Sequence, residues 1–414
     1  MQLLPIDDFI ARLRDLAHAA FGDVEELRLG TSRFGQPIPA FKIPDQSRRA
    51  VFLGFPHPNE PLGELILEAV VREAVDRQSP SQTACWYLVP VWDIDGAREN
   101  EAWWSDAVTV ERMIDHWYRP APSEQVEWAF PLDYGGVRFE RPGPETEAVR
   151  RLLDAVQPEV LLSLHNSVFQ GVYTLISPQG APLAPLISET LHAHGLRPRS
   201  PCPIPYVETY AEGVFGLPHA RLEIDYLREL DPHVPLSFYD NGAASFDYVG
   251  ATCLSFVMEL PMFDWVVPPN EGRLRRCDLG ARHLAWWEQL TEDLGAALAD
   301  ERLAQSDSPL LSSPRYFYQR RDADRATIRQ RLADILQSSE PVQSADWENY
   351  MADLLTIATQ YSQLQRGGGP ALAAAMNVRR ELGQLARGRL RVLDADTIYH
   401  AGRAMVRQVL DGIR

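Results

Sequence analysis

The feature that most constrains this chain is a set of short apolar runs, each ending in polar residues and separated by helix-periodic segments. Ala50-Val51-Phe52-Leu53 runs into "GFPHPNEPLGE"; "WYLVPVW" runs into Asp93 and Asp95; "VLLSLH" ends at His165; "CLSFVME" ends at Glu259. Apolar runs that do not alternate with polar residues are buried on both faces, as in a parallel sheet covered by helices. Between them, "LGELILEAVVREAVDRQ" and "PETEAVRRLLDAV" carry apolar residues at helical spacing, and the second opens with Pro at a plausible first helical position. An amphipathic helix over 5–20 and a hairpin around Gly35-Gln36-Pro37 precede the first run. The alternation predicts an α/β fold: a mixed, mainly parallel twisted sheet flanked by helices.

In such sheets, sites lie at the carboxyl ends of strands. His57 and Glu60 follow the first run, His165 ends the third and Glu259 the fourth. Two imidazoles and one carboxylate are the donor set of a catalytic zinc site, where three protein ligands leave one position open. His57, Glu60 and His165 are therefore the candidate ligands of one Zn²⁺. Zinc acidifies bound water toward pKa ~7, and a carboxylate must then carry protons. Glu259 is the candidate general base, because a carboxylate emerging from a buried strand needs a partner or a function.

The last third reads differently. From about Arg273 the pattern is helical, in segments such as "WENYMADLLTIATQYSQLQ" and "DADTIYHAGRAMVRQVLDGI". The expected organisation is a catalytic domain over 1–272 and an all-α region over 273–414, with a Ser- and Pro-bearing linker near 306–321. Residues 315–414 hold 15 Arg against 11 Asp and Glu, whereas the whole chain has a net charge of −17. The arginine-rich helices suit docking on the acidic catalytic part or pairing with a second copy as a homodimer. A charge of −17 is the wrong sign for a general nucleic-acid or anionic-membrane binder. Four scattered cysteines with no CxxC spacing do not form a disulfide scaffold. The first residues lack a basic segment followed by a continuous apolar core, and no run of ~18 apolar residues occurs. The expectation is a cytoplasmic protein.

Over roughly residues 5–265, in order, the chain resembles the zinc carboxypeptidases of the carboxypeptidase A type. "LGTSRFGQPI" is similar to the family's G-x-S-x-x-G-x-x-I segment and "HPNE" to its HxxE metal motif. "VWDIDGARENEAWW" resembles the N-P-D-G stretch. "RPGPETEAVRRLLDAVQPEVLLSLHNS" resembles the helix and strand that present the third ligand, here His165. "FYDNGAASFDYVGATCLSFVMEL" resembles the segment from the family's mobile tyrosine to its catalytic glutamate. The resemblance implies a zinc-dependent carboxypeptidase, with Tyr239 beside Glu259 in catalysis and a peptide or acyl-amino-acid substrate.

The chain departs from the family where a terminal carboxylate is usually held. "EQVEWAFPLDYGGVRFE" has no Asn-Arg pair. Planar guanidinium suits carboxylates, which leaves Arg98, Arg112, Arg119, Arg138 and Arg141, together with Asn166, as candidates for substrate binding. Two other readings stand beside the peptidase: an amidohydrolase of the acyl-amino-acid deacylase type, and a degenerate peptidase fold used for binding.

Overall fold

In a computed structural model the apolar runs lie side by side. The structure describes residues 3–22, 24–46, 48–77, 84–234, 236, 239–266 and 274–412. The main sheet, read across, is Glu25–Thr31, Pro37–Gln46, Ala84–Val89, Ala50–Gly54, Val160–Ser167, Leu254–Pro261, Tyr173–Ile176, Val214–Gly216 and Thr209–Ala211. The central strands, from Ala84–Val89 through Leu254–Pro261, are all mutually parallel. Antiparallel pairings flank them on both sides. The sheet is thus mixed, and its parallel part carries His165 and Glu259.

Successive strand residues point to opposite faces, and the core divides accordingly. Phe52, Leu162 and Phe256 pack into one cluster with the helices Ile6–Phe21, Gly63–Asp76 and Ala395–Asp411. Val51, Leu161 and Val257 pack into a second with the helices Pro144–Val156 and Ala220–Leu230. His165 and Glu259 share the parity of Leu161 and Val257, so both fall on the second face.

The helical region is built from Arg276–Leu298, Ser312–Gln319, Arg321–Arg331, Ser344–Arg366, Ala373–Ala386 and Ala395–Asp411, with shorter turns between them. The segment 306–321, expected as a linker from its Ser and Pro, is largely helical, with a 3-10 turn at Pro309–Leu311 followed by Ser312–Gln319. Pro314 sits in the first turn of that helix, where the missing N–H breaks no internal bond. The expected boundary at 272/273 lies outside the described residues. One apolar cluster runs from Leu3 to Leu410. Strand Leu390–Val392 also pairs antiparallel with Phe263–Trp265. A Cβ at Gly402 would meet Ile66 Cδ1, so glycine there leaves room for that side chain between the two helices. No helix among the described residues is long and apolar enough to cross a membrane.

Arginine–carboxylate pairs tie the helices down. Arg199 meets Glu348 at 2.6 Å with both side chains 3% exposed. Arg366 meets Glu99 at 3.0 Å, and Arg379 holds Asp115 at 2.8 Å. Glu73, its side chain 2% exposed, collects Arg407 at 2.8 Å and Arg403 at 3.3 Å from the last helix, and Arg77 at 2.8 Å from its own. Burial alone would raise the Glu73 pKa, but hydrogen bonds from Arg407 and Arg77 outweigh it and hold the carboxyl below its ordinary value.

Breaking a buried pair costs about 3–5 kcal/mol, and less where the partners are partly exposed. Glu73→Ala is therefore expected to cost about 2–3 kcal/mol in urea unfolding. Because the folded pKa is depressed, the ionic contribution is full above the unfolded value and lost as pH falls. The difference between wild type and Glu73→Gln should shrink below about pH 4.3; an unchanged difference at pH 3 would show that charge plays no part there.

Candidate metal centre and its cavity

The first ligand loop is shaped by its backbone. Strand Ala50–Gly54 ends where a Cβ on Gly54 would collide with the Pro90 carbonyl. Phe55 then adopts φ 49°, a left-handed conformation costly for a bulky residue. The Glu60 N–H donates to the His57 carbonyl at 3.2 Å and closes the turn. The Leu62 N–H donates to Asn166 Oδ1 at 3.2 Å, which pins the loop to the strand carrying His165.

This brings His57, Glu60 and His165 together, with one ligand atom from each lying within 4.8 Å of the others. They are 2%, 4% and 6% exposed. His165 Nδ1 is 2.8 Å from Glu60 Oε2 and its Nε2 is 3.0 Å from Ser163 Oγ. An outer contact of that kind orients a ligating imidazole. The His57 and His165 rings lie 4.9 Å apart between centroids. His57 Nδ1 is buried with no partner. An orphaned buried nitrogen is costly and rare, and beside a second imidazole and a carboxylate it has the character of an open ligand atom. Burial, then the charges of Arg119 and His165, push the His57 pKa well down. The neutral imidazole that results is the form that binds metal. The donor set fits zinc.

Glu259 is the register partner of His165 on the adjacent parallel strand, and its Oε1 lies 4.0 Å from His165 Nδ1. Burial and the facing Glu60 push its carboxyl well above the ordinary range, against the pull of Arg119 and a hydrogen bond from Tyr173. Tyr173 faces Glu259 from the other neighbouring strand. Arg119 Nη1 holds Glu60 Oε1 at 3.0 Å and its Nε donates to Gln125 Oε1 at 3.1 Å. Its guanidinium lies 5.4 Å from the centre of the Trp128 ring. Its backbone N–H donates to Gln363 Oε1 of the helical region at 3.4 Å.

These groups line one cavity of about 490 Å³. Of the residues expected at the site, the structure brings His57, Glu60, His165, Glu259, Arg119 and Asn166 to its wall. Arg98 pairs instead with Asp7 at 2.6 Å, Arg112 with Asp106 at 3.1 Å, Arg138 with Glu140 at 2.7 Å and Arg141 with Asp240 at 3.2 Å. Among the described residues lining the cavity, Arg119 is the only arginine. Tyr239 donates its hydroxyl to Glu223 at 2.9 Å and does not line the cavity. The sequence reading missed Tyr173 and Trp128, and missed that helices beyond residue 273 reach the site. A signal was available in "ADLLTIATQ", where Ala352, Thr356, Thr359 and Gln360 make a small and polar stripe on an otherwise apolar helix.

No protein-family model matches the chain, and no curated protein matches it. Among solved structures, it is similar to bovine thrombin-activatable fibrinolysis inhibitor in complex with tick carboxypeptidase inhibitor, with 13% identity over 62% of this chain and 86% of that one and a TM-score of 0.38. It is similar to carboxypeptidase A from Helicoverpa armigera, with 15% identity over 62% and 64% of the two chains and a TM-score of 0.38. A metallo-carboxypeptidase from Pseudomonas aeruginosa shows 22% identity over 61% and 59% of the two chains, with a TM-score of 0.34. This chain spans less than two thirds of the length of the last two.

Beside the cavity, Glu127 is fully buried next to Trp128. Ser245 Oγ donates to its Oε1 at 2.7 Å, and its Oε2 has no partner. Burial pushes this carboxyl up from 4.5 to about 8. A raised folded pKa gives stability that is full below the unfolded value and lost as pH rises toward the folded one. Glu127→Gln, which never ionises, should therefore lose less stability than wild type between pH 5 and pH 8. Urea midpoints at the two pH values measure this, and equal losses would refute it.

Proposed function

We propose that the chain is a zinc-dependent hydrolase of peptide or amide bonds, acting as a carboxypeptidase, with His57, Glu60 and His165 as the metal ligands. The observation that carries this is the convergence of those residues, with an orphaned His57 Nδ1, beside the half-buried Glu259 carboxylate on the next parallel strand. A zinc ion held by these three residues would supply Lewis acidity toward a carbonyl and a bound water. A cation beside Glu60 and Glu259 also offsets the repulsion that raises the Glu259 pKa.

The remaining roles belong to the chain. Glu259 takes a proton from water as the water oxygen bonds to the carbonyl carbon, and returns it to the leaving nitrogen as the C–N bond breaks. Arg119 and Tyr173, both on the cavity wall, are donors placed to support the developing oxyanion. Ser163 orients His165, Arg119 orients Glu60, and Gln125 in turn holds Arg119. No disulfide joins the described cysteines, which fits a reducing compartment such as the cytoplasm.

Purified protein should carry about one zinc per chain by elemental analysis. His165→Ala should lose it. Glu259→Gln should keep the zinc and lose at least about 100-fold in amide cleavage, the usual worth of a positioned proton carrier. Zinc-loaded Glu259→Gln that cleaves amides at the wild-type rate would sink the mechanism.

A further inference from the structure

Arg119 sits on a short stretch, residues 117–120, that belongs to no strand. Trp117 and Tyr118 are buried there, so the backbone polar groups of the stretch need internal partners. They find them on side chains from two directions. Tyr118 bonds both ways with Asn100, its N–H to Oδ1 and its carbonyl from Nδ2, each at 2.8 Å. In an extended chain alternate residues turn their polar groups to opposite edges. On the opposite edge, the Trp117 carbonyl accepts from Arg366 Nη1 at 3.1 Å, and the Arg119 N–H donates to Gln363 Oε1 at 3.4 Å. Just before the stretch, the Asp115 carbonyl accepts from Ser362 Oγ at 3.0 Å. Asp115 lies in the last turn of helix Val110–His116, where carbonyls lack intrahelical partners. Ser362, Gln363 and Arg366 all belong to the end of helix Ser344–Arg366. Side chains from one helix thus take the place of a neighbouring strand.

The residue clamped in this way is the one that holds Glu60. Arg119 Nη1 donates to Glu60 Oε1 at 3.0 Å and its Nε to Gln125 Oε1 at 3.1 Å. Gln125 in turn donates its Nε2 to the Pro120 carbonyl at 3.0 Å. A planar guanidinium committed at two of its donors has little freedom left. The position of the backbone at residue 119 therefore passes to the Glu60 carboxylate. Docking of the helical region does not by itself require this. The last helix is docked through Arg403 and Arg407 on Glu73, and neither arginine bonds the stretch.

We infer that helix Ser344–Arg366 sets the geometry of the metal centre: Ser362, Gln363 and Arg366 are positioning residues that act on Glu60 through Arg119. This rests on the metal reading and adds to it a role for the helical region in shaping a ligand.

The test is a double-mutant cycle in the full chain, with zinc affinity read by chelator competition. Arg366→Met keeps the apolar stem and removes the donors, and Arg119→Met does the same at the centre. Arg119→Met should weaken zinc binding about tenfold, the usual cost of losing an outer partner of a ligand, and Arg366→Met about threefold. The double variant should be no weaker than Arg119→Met alone, because residues acting through one another are not additive. Arg407→Met, which loosens the last helix at Glu73, should leave zinc affinity unchanged. In amide cleavage the same pattern should fall on kcat more than on KM. Urea midpoints confirm that each variant folds, and Ser362→Ala replaces Arg366→Met in the cycle if that variant does not.

Additive losses, an unmoved zinc affinity in Arg366→Met, or an equal loss in Arg407→Met overturn the inference. Zinc binding with a non-additive cycle but no amide cleavage upholds it while the hydrolase reading falls. If the wild type takes up no zinc, the metal reading falls, and hydrogen exchange of the peptide covering residues 115–120 decides. Exchange about tenfold faster in Arg366→Met than in Arg407→Met upholds the placement of Arg119 by the helix. Equal exchange removes that as well.

Discussion

The parallel pairing of Val160–Ser167 with Leu254–Pro261 is the constraint on which the rest depends. It sets His165 opposite Glu259, and parity then places both side chains on one face. A slip of one residue would turn one of the two toward the opposite core. Eight consecutive register partners hold the pair against such a slip. Their apolar residues are buried on both faces, so each strand is fixed from two directions. The precision with which His165 and Glu259 are set beside each other is supplied by backbone hydrogen bonds and packing, not by flexible side chains.

Much of this was legible in the sequence because it is local or periodic. The four apolar runs became the parallel centre of the sheet, and His165 and Glu259 lie toward the ends of two of them. The ligand loop showed itself through His57 and Glu60 three apart after a buried strand. The arginines were not legible. Arg98, Arg112, Arg119, Arg138 and Arg141 look alike in sequence, and only tertiary placement separates Arg119, on the cavity wall, from those paired with nearby or surface carboxylates. Tyr173 escaped notice because it lies on an antiparallel strand inserted beside Leu254–Pro261, a neighbour that sequence order does not announce.

The helical region shows how charge and packing divide the work of docking. Its arginines meet carboxylates of the acidic part, as the contrast in composition suggested. Most of those pairs are partly exposed and worth little individually. The larger share of the attachment is apolar, in a core that takes Phe9, Phe52 and Ile66 from one part and Trp347, Leu382 and Met405 from the other. Charge complementarity fixes where the helices land, and the buried surface holds them there.

That shared core has a consequence in time. During synthesis Glu259 leaves the ribosome well before Gln360, so His57, Glu60, His165 and Glu259 are all present while the remaining wall of the cavity is still unmade. The apolar faces that will receive Trp347 and Met405 stay uncovered over the same interval. Until the helical region arrives, those faces lie in water, which lowers the stability of the first part taken alone.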